Sequence, residues 1–319
     1  MAFKTATVNA SDVPATLTNY PSYIDWSRLG ITTLAEAQSS RVYADSGKVV
    51  EWAREVVSAT EGHTKVPSLT STTPIYVDYD GIRADYAVTD TYGRNAVWSV
   101  YRSVRHLETD GSDSTGNLNN TDASLSFAAQ KIGQGATFNG TSSRITTTTG
   151  TTSAGTWSLS MWFKSTANTD SLTLFTNTSG TGSSGYQINV NINASGYIVL
   201  EAGAATTTAY NDGNWQKLNV TGDGPGNASA IYINGTSVAT GACFNFGTTT
   251  IYPRIGVNAT GGGTNWYGGQ LDEWRYLVGS VQSADWITTE YNNQSDESGF
   301  WGTWTDAGGG VTRRVFVVS

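Results

Sequence analysis

The stretch Gly268–Tyr276, GGQLDEWRY, decides the fold class of this chain. A glycine-led strand carries two adjacent acids, Asp272 and Glu273, and ends in aromatic residues. A little further on, Ser283–Tyr291 (SADWITTEY) reads as a short helical segment that closes the strand. This strand and helix pattern indicates the fold of the chain but does not identify a ligand.

Composition predicts an all-β chain with two cores. The 319 residues exceed one typical domain, for which about 150 residues is the usual size. The chain holds 36 glycines, and charged residues make up 14%. Glycine and a Thr/Ser/Asn-rich remainder favour turns and strands over helices.

Charge, cysteine content and hydropathy exclude several classes of protein. With 26 acids against 18 bases the net charge is -8, so nucleic acid is not expected as a partner. One cysteine, Cys243, allows no intrachain disulfide and no cysteine-based metal site. No apolar stretch is long enough to insert into a membrane. The first residues also lack the pattern of a secretory signal, which favours a protein made in the cytosol.

Residues 1–107 are predicted to form a first β-sandwich. The segments with strand patterns are Tyr20–Trp26, Ser40–Gly47, Lys48–Val57 and Pro74–Gly81. Lys48–Val57 also has two glutamates at helical spacing, but its valine pairs favour a strand. The runs KVPSLTSTTPIYVDYDG and AVWSVYRSVRHL resemble an uncharacterised family of β-domains. That family often precedes a laminin-G-like jelly roll in bacterial surface proteins and phage virion proteins.

Residues 108–300 resemble the laminin-G-like branch of the concanavalin A-like lectin/glucanase superfamily. The resemblance rests on an ordered series: Gly133–Gly140, Trp157–Lys164, Asp212–Leu218, Ile231–Gly235, Arg254–Gly256 and Gly268–Trp274. It implies two tandem antiparallel β-sandwich domains, of which the second is a jelly roll. Alternation in Ser158–Lys164 directs Leu159, Met161 and Phe163 to one face. Asn234 and Gly235 predict a tight hairpin.

No catalytic residues are expected. A glycosidase places two carboxylates about 5 to 9.5 Å apart on one face of a site. Because strand neighbours alternate, Asp272 and Glu273 are predicted to lie on opposite faces. With His63 and His106 as the two histidines, a Ser-His-Asp triad is not expected either, and both are interpreted as structural.

The resemblance implies a calcium site. Asp113, Asn117 and Asp272 lie at positions similar to those of family members that bind Ca²⁺, a cation that prefers oxygen ligands. The alternative is that Asp113–Asn117 forms a self-satisfied Asx turn without an ion.

A glycan site is predicted in the loop Thr260–Tyr267. Trp266 and Tyr267 provide aromatic faces that could stack on a sugar, and the Asn265 amide could bind hydroxyls. The alternative is that these aromatic side chains belong to the core.

Residues 301–319 are predicted to be a glycine-rich spacer followed by a strand, Thr312–Ser319. An apolar strand without a partner aggregates, so it is expected to pair with a sheet edge of its own chain, of another copy or of another virion subunit. The function expected is that of a non-enzymatic virion surface or structural protein with a glycan-binding jelly roll. The alternatives are an extracellular carbohydrate-binding module from a bacterial surface and, as a third class, a glycoside hydrolase.

Overall fold

A computed structural model describes residues 2–152, 155–169, 172–178, 186–200, 203–224, 228–242, 250–258 and 265–308. Cys243, most of the loop Thr260–Tyr267 and the predicted strand Thr312–Ser319 lie outside the described residues.

The described elements follow one another in a nearly all-β order, so the predicted fold class is confirmed. They are β1 (Ala2–Thr7), β2 (Leu17–Asp25), α1 (Leu34–Ser39), β3 (Arg41–Tyr43), β4 (Glu51–Trp52), β5 (Arg54–Val56), β6 (Glu61–Leu69), β7 (Pro74–Tyr79), α2 (Arg94–Val97), β8 (Ser103–Arg105), β9 (Asn120–Ala123), β10 (Ser126–Ala129), β11 (Gln134–Asn139), β12 (Arg144–Thr147), β13 (Thr151–Thr152), β14 (Thr156–Lys164), β15 (Leu172–Thr178), β16 (Tyr186–Ile192), β17 (Ile198–Leu200), β18 (Gln216–Asp223), β19 (Ala228–Ile233), β20 (Thr236–Ala242), β21 (Thr250–Ile255), β22 (Gly268–Val278), α3 (Ala284–Ser295), α4 (Glu297–Trp301) and β23 (Thr305–Asp306).

Within the described parts of the chain these strands form four antiparallel sheets. The N-terminal unit has the orders β23-β1-β7-β3-β4 and β2-β6-β5. The jelly roll has a near sheet, β10-β11-β22-β14-β18-β19-β20 with β8 also on β22, and a far sheet, β17-β16-β15-β21-β12-β9 with β13 also on β21. The near sheet lies against the N-terminal unit. No described helix is long and apolar enough to cross a membrane.

The N-terminal unit has a core of its own. Ile24 of β2, Trp26 of the short 3-10 helix that follows it and Val77 of β7 are buried together. Lys48–Val57 forms two short strands, β4 and β5, which confirms the strand interpretation.

The last described elements return to the N-terminal unit. Phe300 and Trp301 of α4 are buried in its core, with ring centroids 5.4 Å apart. Lys4 of β1 donates to Asp306 of β23 over 2.7 Å. A domain boundary after residue 300 would therefore separate Phe300 from Trp301, although both side chains belong to the same core.

The jelly-roll core lies between the near and far sheets. Leu159, Met161 and Phe163 of β14 are buried in it, as their alternation predicts. The other face of β14 is also covered, because Trp162 donates its Nε1 proton to Gln294 of α3 over 2.9 Å. The near sheet is thus buried on both faces at this strand, where the sequence predicts burial on one.

The hairpin between β19 and β20 turns at Asn234 and Gly235, with φ values of 50° and 79°. Both angles belong to the left-handed region, which Asn and Gly adopt most readily. The predicted hairpin is therefore confirmed.

Replacement of Gly62 by alanine should destabilise the N-terminal unit. A Cβ at this position of β6 would lie 2.2 Å from the ring of Trp26, which is fully buried and cannot move away. Overpacking of this kind costs about 1–3 kcal/mol. Urea unfolding of Gly62→Ala should show this loss, and Gly308→Ala should be neutral because nothing lies near its added methyl group. Equal unfolding free energies for both variants would contradict the close contact.

Candidate functional site

A β-bulge interrupts β22 at its two acids. Glu273 has a φ of 49°, and the register against β14 shifts between Ser160 and Trp162. Asp272 pairs with Trp162, while the Glu273 carboxylate accepts a hydrogen bond from Arg275 over 2.5 Å. Because the bulge breaks the alternation, both acids lie on the face that the N-terminal unit covers. The prediction that they lie on opposite faces is wrong.

The residues predicted to bind calcium have separate hydrogen-bond partners. Asp113 accepts backbone N–H groups of Val104, Thr115 and Leu118 at 2.9 to 3.0 Å, as in an Asx turn. The Asp272 carboxylate accepts the N–H of Ile132 over 2.8 Å. No contact between described residues joins Asp272 to Asp113 or Asn117.

A cationic side chain already lies inside the loop that contains Asp113. Arg105 donates to the Asn120 side chain over 2.7 Å and to the Leu118 carbonyl over 3.1 Å. Burial lowers the pKa of Arg105, and the charges of Asp113 and Asp122 oppose that shift. The guanidinium therefore supplies positive charge to this acidic loop, and calcium stays a prediction.

The three residues of the predicted glycan platform differ in exposure. Tyr267 is 0% exposed and packs edge-on against Phe138 in the jelly-roll core. Trp266 is half-buried, with the Arg144 guanidinium 5.6 Å from its ring centroid, and Asn265 is half-buried as well. Tyr267 is therefore a core residue and not a stacking surface, which corrects that part of the prediction.

An open groove lies directly above Tyr267. The Tyr267 hydroxyl lies 2.9 Å from the carbonyl of Lys164 and 3.1 Å from that of Gln270, so it links β14 to β22 under the groove. The groove has a volume of about 540 Å³. Gly140 and Gly268 approach each other closely in its floor, where a Cβ on Gly268 would lie 3.4 Å from Gly140.

Four polar side chains of the groove have no side-chain hydrogen-bond partner among the described residues. Lys164, Thr166, Thr169 and Gln270 line it, and no side-chain hydrogen bond joins any of them to another described residue. Lys164 and Gln270 are direct neighbours across β14 and β22. The half-buried Ala167 adds apolar surface beside them.

Two of the strands that build this groove, β14 and β22, lie wholly in a region that matches a family model. Residues 138–288 match a family model described as "Concanavalin A-like lectin/glucanases superfamily". This region is a concanavalin A-like domain. No curated protein sequence matches the chain.

Several solved structures resemble part of this chain. Domain 4 of an extracellular arabinanase from Geobacillus stearothermophilus, solved with arabinotriose, is 21% identical, with a TM-score of 0.47 over 59% of this chain and 96% of that one. Botulinum neurotoxin type C, in a structure that concerns its interaction with two ganglioside molecules, is 11% identical with a TM-score of 0.48. The match covers 62% of this chain and 52% of the toxin chain. A pentraxin from Limulus polyphemus is 13% identical, with a TM-score of 0.38 over 48% of this chain and 78% of that one.

A buried ion-pair network fastens α3 to the near sheet of the concanavalin A-like domain. Glu290 accepts hydrogen bonds from Arg275 over 3.0 Å and from Asn219 over 2.8 Å, and the Lys217 ammonium lies 3.7 Å away. Burial opposes ionisation of Glu290, but Lys217 and Arg275 outweigh it and lower its pKa. Burial lowers the pKa of Lys217 to about 8, against the opposing charge of Glu290.

A second cluster lies where the N-terminal unit meets the concanavalin A-like domain. Glu61 and His63 come from β6, His106 follows β8, and Glu273 is the bulge residue of β22. One ligand-type atom from each residue lies within 4.8 Å of the others, and all four are buried. The two imidazole rings stack with centroids 4.8 Å apart.

The pKa values of the two histidines in this cluster shift in opposite directions. Burial alone would lower the pKa of His106, but the Glu273 and Glu55 carboxylates outweigh it and raise that pKa well above its usual value. Burial lowers the pKa of His63. Burial and the charge of Glu273 raise the pKa of Glu61 well above its usual value.

Sequence reasoning missed this cluster, although one signal was present. Glu61 and His63 are two residues apart, and on a strand that spacing puts both side chains on one face. His106 and Glu273 join the cluster only through strand pairing and through the bulge. No local sequence pattern indicates either feature.

Replacement of Glu290 by glutamine should destabilise the protein by about 3 kcal/mol near pH 7, because two buried cations lose their common partner. The folded-state pKa of Glu290 lies below its ordinary value of 4.5, so the carboxylate stabilises the fold above that pH and loses its effect as the pH falls. The gap in unfolding free energy between wild type and Glu290→Gln should therefore narrow below pH 4.5. Denaturant unfolding at several pH values measures it.

The exposed Asp285 of the same helix provides the control. Asp285→Asn should cost at most about 1 kcal/mol, the usual contribution of an acid in the first helical turn. A Glu290→Gln loss no larger than this would contradict the ion-pair network.

Proposed function

We propose that this chain is a non-enzymatic carbohydrate-binding protein whose site is the groove between β11, β14 and β22. The observation that carries the proposal is a groove of about 540 Å³ lined by four polar side chains, Lys164, Thr166, Thr169 and Gln270. Within the part of the chain that the structure describes, none of the four has a side-chain hydrogen-bond partner. The groove lies in a domain of a lectin/glucanase superfamily.

The chemistry of the groove suits a short glycan. Lys164 supplies donors, the threonine hydroxyls donate and accept, and the Gln270 amide does both, which matches the hydroxyl groups of a sugar. The half-buried Ala167 offers apolar surface to sugar C–H groups. A mixture of a few polar groups with apolar walls is typical of small-ligand sites.

The groove also favours binding over hydrolysis. The described residues that line it include no carboxylate, whereas a glycosidase uses two. The buried carboxylates Glu61 and Glu273 are 0% exposed and cannot reach a glycosidic bond.

The setting we propose for this protein is the surface of a virion, with the jelly roll directed outward. The support is the resemblance of residues 65–81 and 96–107 to β-domains that precede such jelly rolls in phage and bacterial surface proteins. Partner subunits or copies of the chain would pair with the strand Thr312–Ser319. An extracellular bacterial carbohydrate-binding module is the alternative.

Removal of groove side chains should weaken glycan binding by the full chain. A glycan array identifies a ligand, and isothermal titration then compares Thr166→Ala and Gln270→Ala with wild type. Each lost hydrogen bond is worth about 0.5–1.5 kcal/mol, so affinity should fall about 2- to 12-fold for each variant. Thr236→Ala, an exposed change on β20 outside the groove, should bind like wild type. Unchanged affinity of both groove variants, or no glycan bound by wild type, would reject the site.

The virion setting is tested by antibody labelling. Immunogold against the jelly roll should decorate intact particles of the phage that encodes the chain, because an outward-facing domain is accessible without disruption. The control is a particle lacking the gene product. Label on bacterial cell surfaces, with none on particles, would support the alternative setting.

A further inference from the structure

We propose that Glu61, His63, His106 and Glu273 form a structural zinc site that ties the N-terminal unit to the jelly roll. The proposal is independent of glycan binding, because the ligands lie on the opposite side of β22 from the core and are separate from the groove residues.

The first support is the convergence of four donors from three places in the chain. His63 of β6 lies between Tyr23 of β2 and Glu55 of β5, and its imidazole reaches Glu273 of the near sheet. Glu61 lies on the same face, two residues earlier. His106 and Glu273 approach from the jelly roll and complete the set.

The second support is geometry. His63 Nε2 lies 3.2 Å from Glu61 Oε1 and 3.5 Å from Glu273 Oε2. His106 Nδ1 lies 3.2 Å from Glu61 Oε1 and contacts Glu273 Oε1. In a tetrahedral zinc site with bonds of about 2.0–2.2 Å, neighbouring ligand atoms are about 3.3–3.6 Å apart. Small side-chain shifts would therefore accommodate the ion.

The third support is the set of groups behind the ligands. His106 Nε2 lies 3.0 Å from Glu55 Oε2, and Glu55 accepts the indole N–H of Trp98. Arg275 donates to Glu273 Oε2 over 2.5 Å. A carboxylate that holds the second nitrogen of a histidine is the usual outer partner of a zinc ligand, because it fixes the ring and its tautomer.

The fourth support is the ligand set. Two imidazoles and two carboxylates place two nitrogen and two oxygen atoms within 4.8 Å of one another. Nitrogen ligands favour zinc over calcium, which prefers an all-oxygen shell.

A route for the ion is also present. A polar cavity of about 180 Å³ reaches Glu55 and His106 from the surface between Arg94, Glu108 and Ser114. Four protein ligands complete a tetrahedral shell and leave no open position, so the ion would be structural and not catalytic.

Metal content and melting temperature of the untagged full-length chain test the site. After dialysis, mass spectrometry of the metal content should give about one zinc per chain. A chelator should lower the melting temperature by several degrees, and Zn²⁺ should restore it while Ca²⁺ should not. Less than a tenth of an equivalent of bound zinc after incubation with Zn²⁺, or a melting temperature that zinc does not change, would overturn the proposal.

Variants locate the ion. His63→Gln should lower bound zinc at least tenfold, whereas Glu290→Gln, which removes a buried carboxylate of the neighbouring network, should retain it. If His63→Gln does not fold, Co²⁺ in the wild-type chain provides a readout that needs no variant. Intense visible absorption bands of tetrahedral Co²⁺ would support the site, and a weak octahedral spectrum would reject it.

Discussion

The arrangement of the two units depends on charge buried on the outer face of the near sheet. Arg275 and Lys217 point away from the jelly-roll core, yet both are buried. An unpaired buried cation costs several kcal/mol, so this face has to be covered by an element that brings anions. The helix α3 does so with Glu290, and its Asn293 holds the N–H of Tyr23 in β2 over 2.6 Å. The same helix therefore pairs with the buried cations of the jelly roll and holds the N-terminal unit against it.

Local features of the fold were predictable because they depend on local chemistry. The alternation in β14 and the Asn234–Gly235 turn follow from strand geometry and from backbone preferences. The bulge at Glu273 was not predictable. No local sequence pattern marks a glutamate with positive φ, and tertiary contacts hold the backbone in this conformation. This one residue places Asp272 and Glu273 on the same face of the sheet, where the sequence predicts opposite faces. Trp162 is a similar case, because its burial depends on a helix that follows much later in the chain.

The candidate sites were less predictable than the fold. An aromatic pair beside a glycine-rich loop looks the same in sequence whether it is exposed or buried, and Tyr267 turned out to support the groove from below. Lys164 and Gln270 are ordinary polar residues that become neighbours through the register of β14 and β22. The spacing of Glu61 and His63 could be read from the sequence, but their partners could not, because those come from a strand paired across the unit boundary.

One strand connects these features. β22 contributes Gln270 to the groove, the bulge residue Glu273 to the buried cluster and Arg275 to the ion pair with α3. A strand held on one face by the jelly-roll core and on the other by buried charge has little freedom to move. The part of the groove that β22 forms is therefore held in place, and in the carbohydrate-binding role that we propose a preformed site would lose less conformational entropy on binding. Charge buried at the unit boundary thus contributes to the rigidity of a surface site that it does not touch.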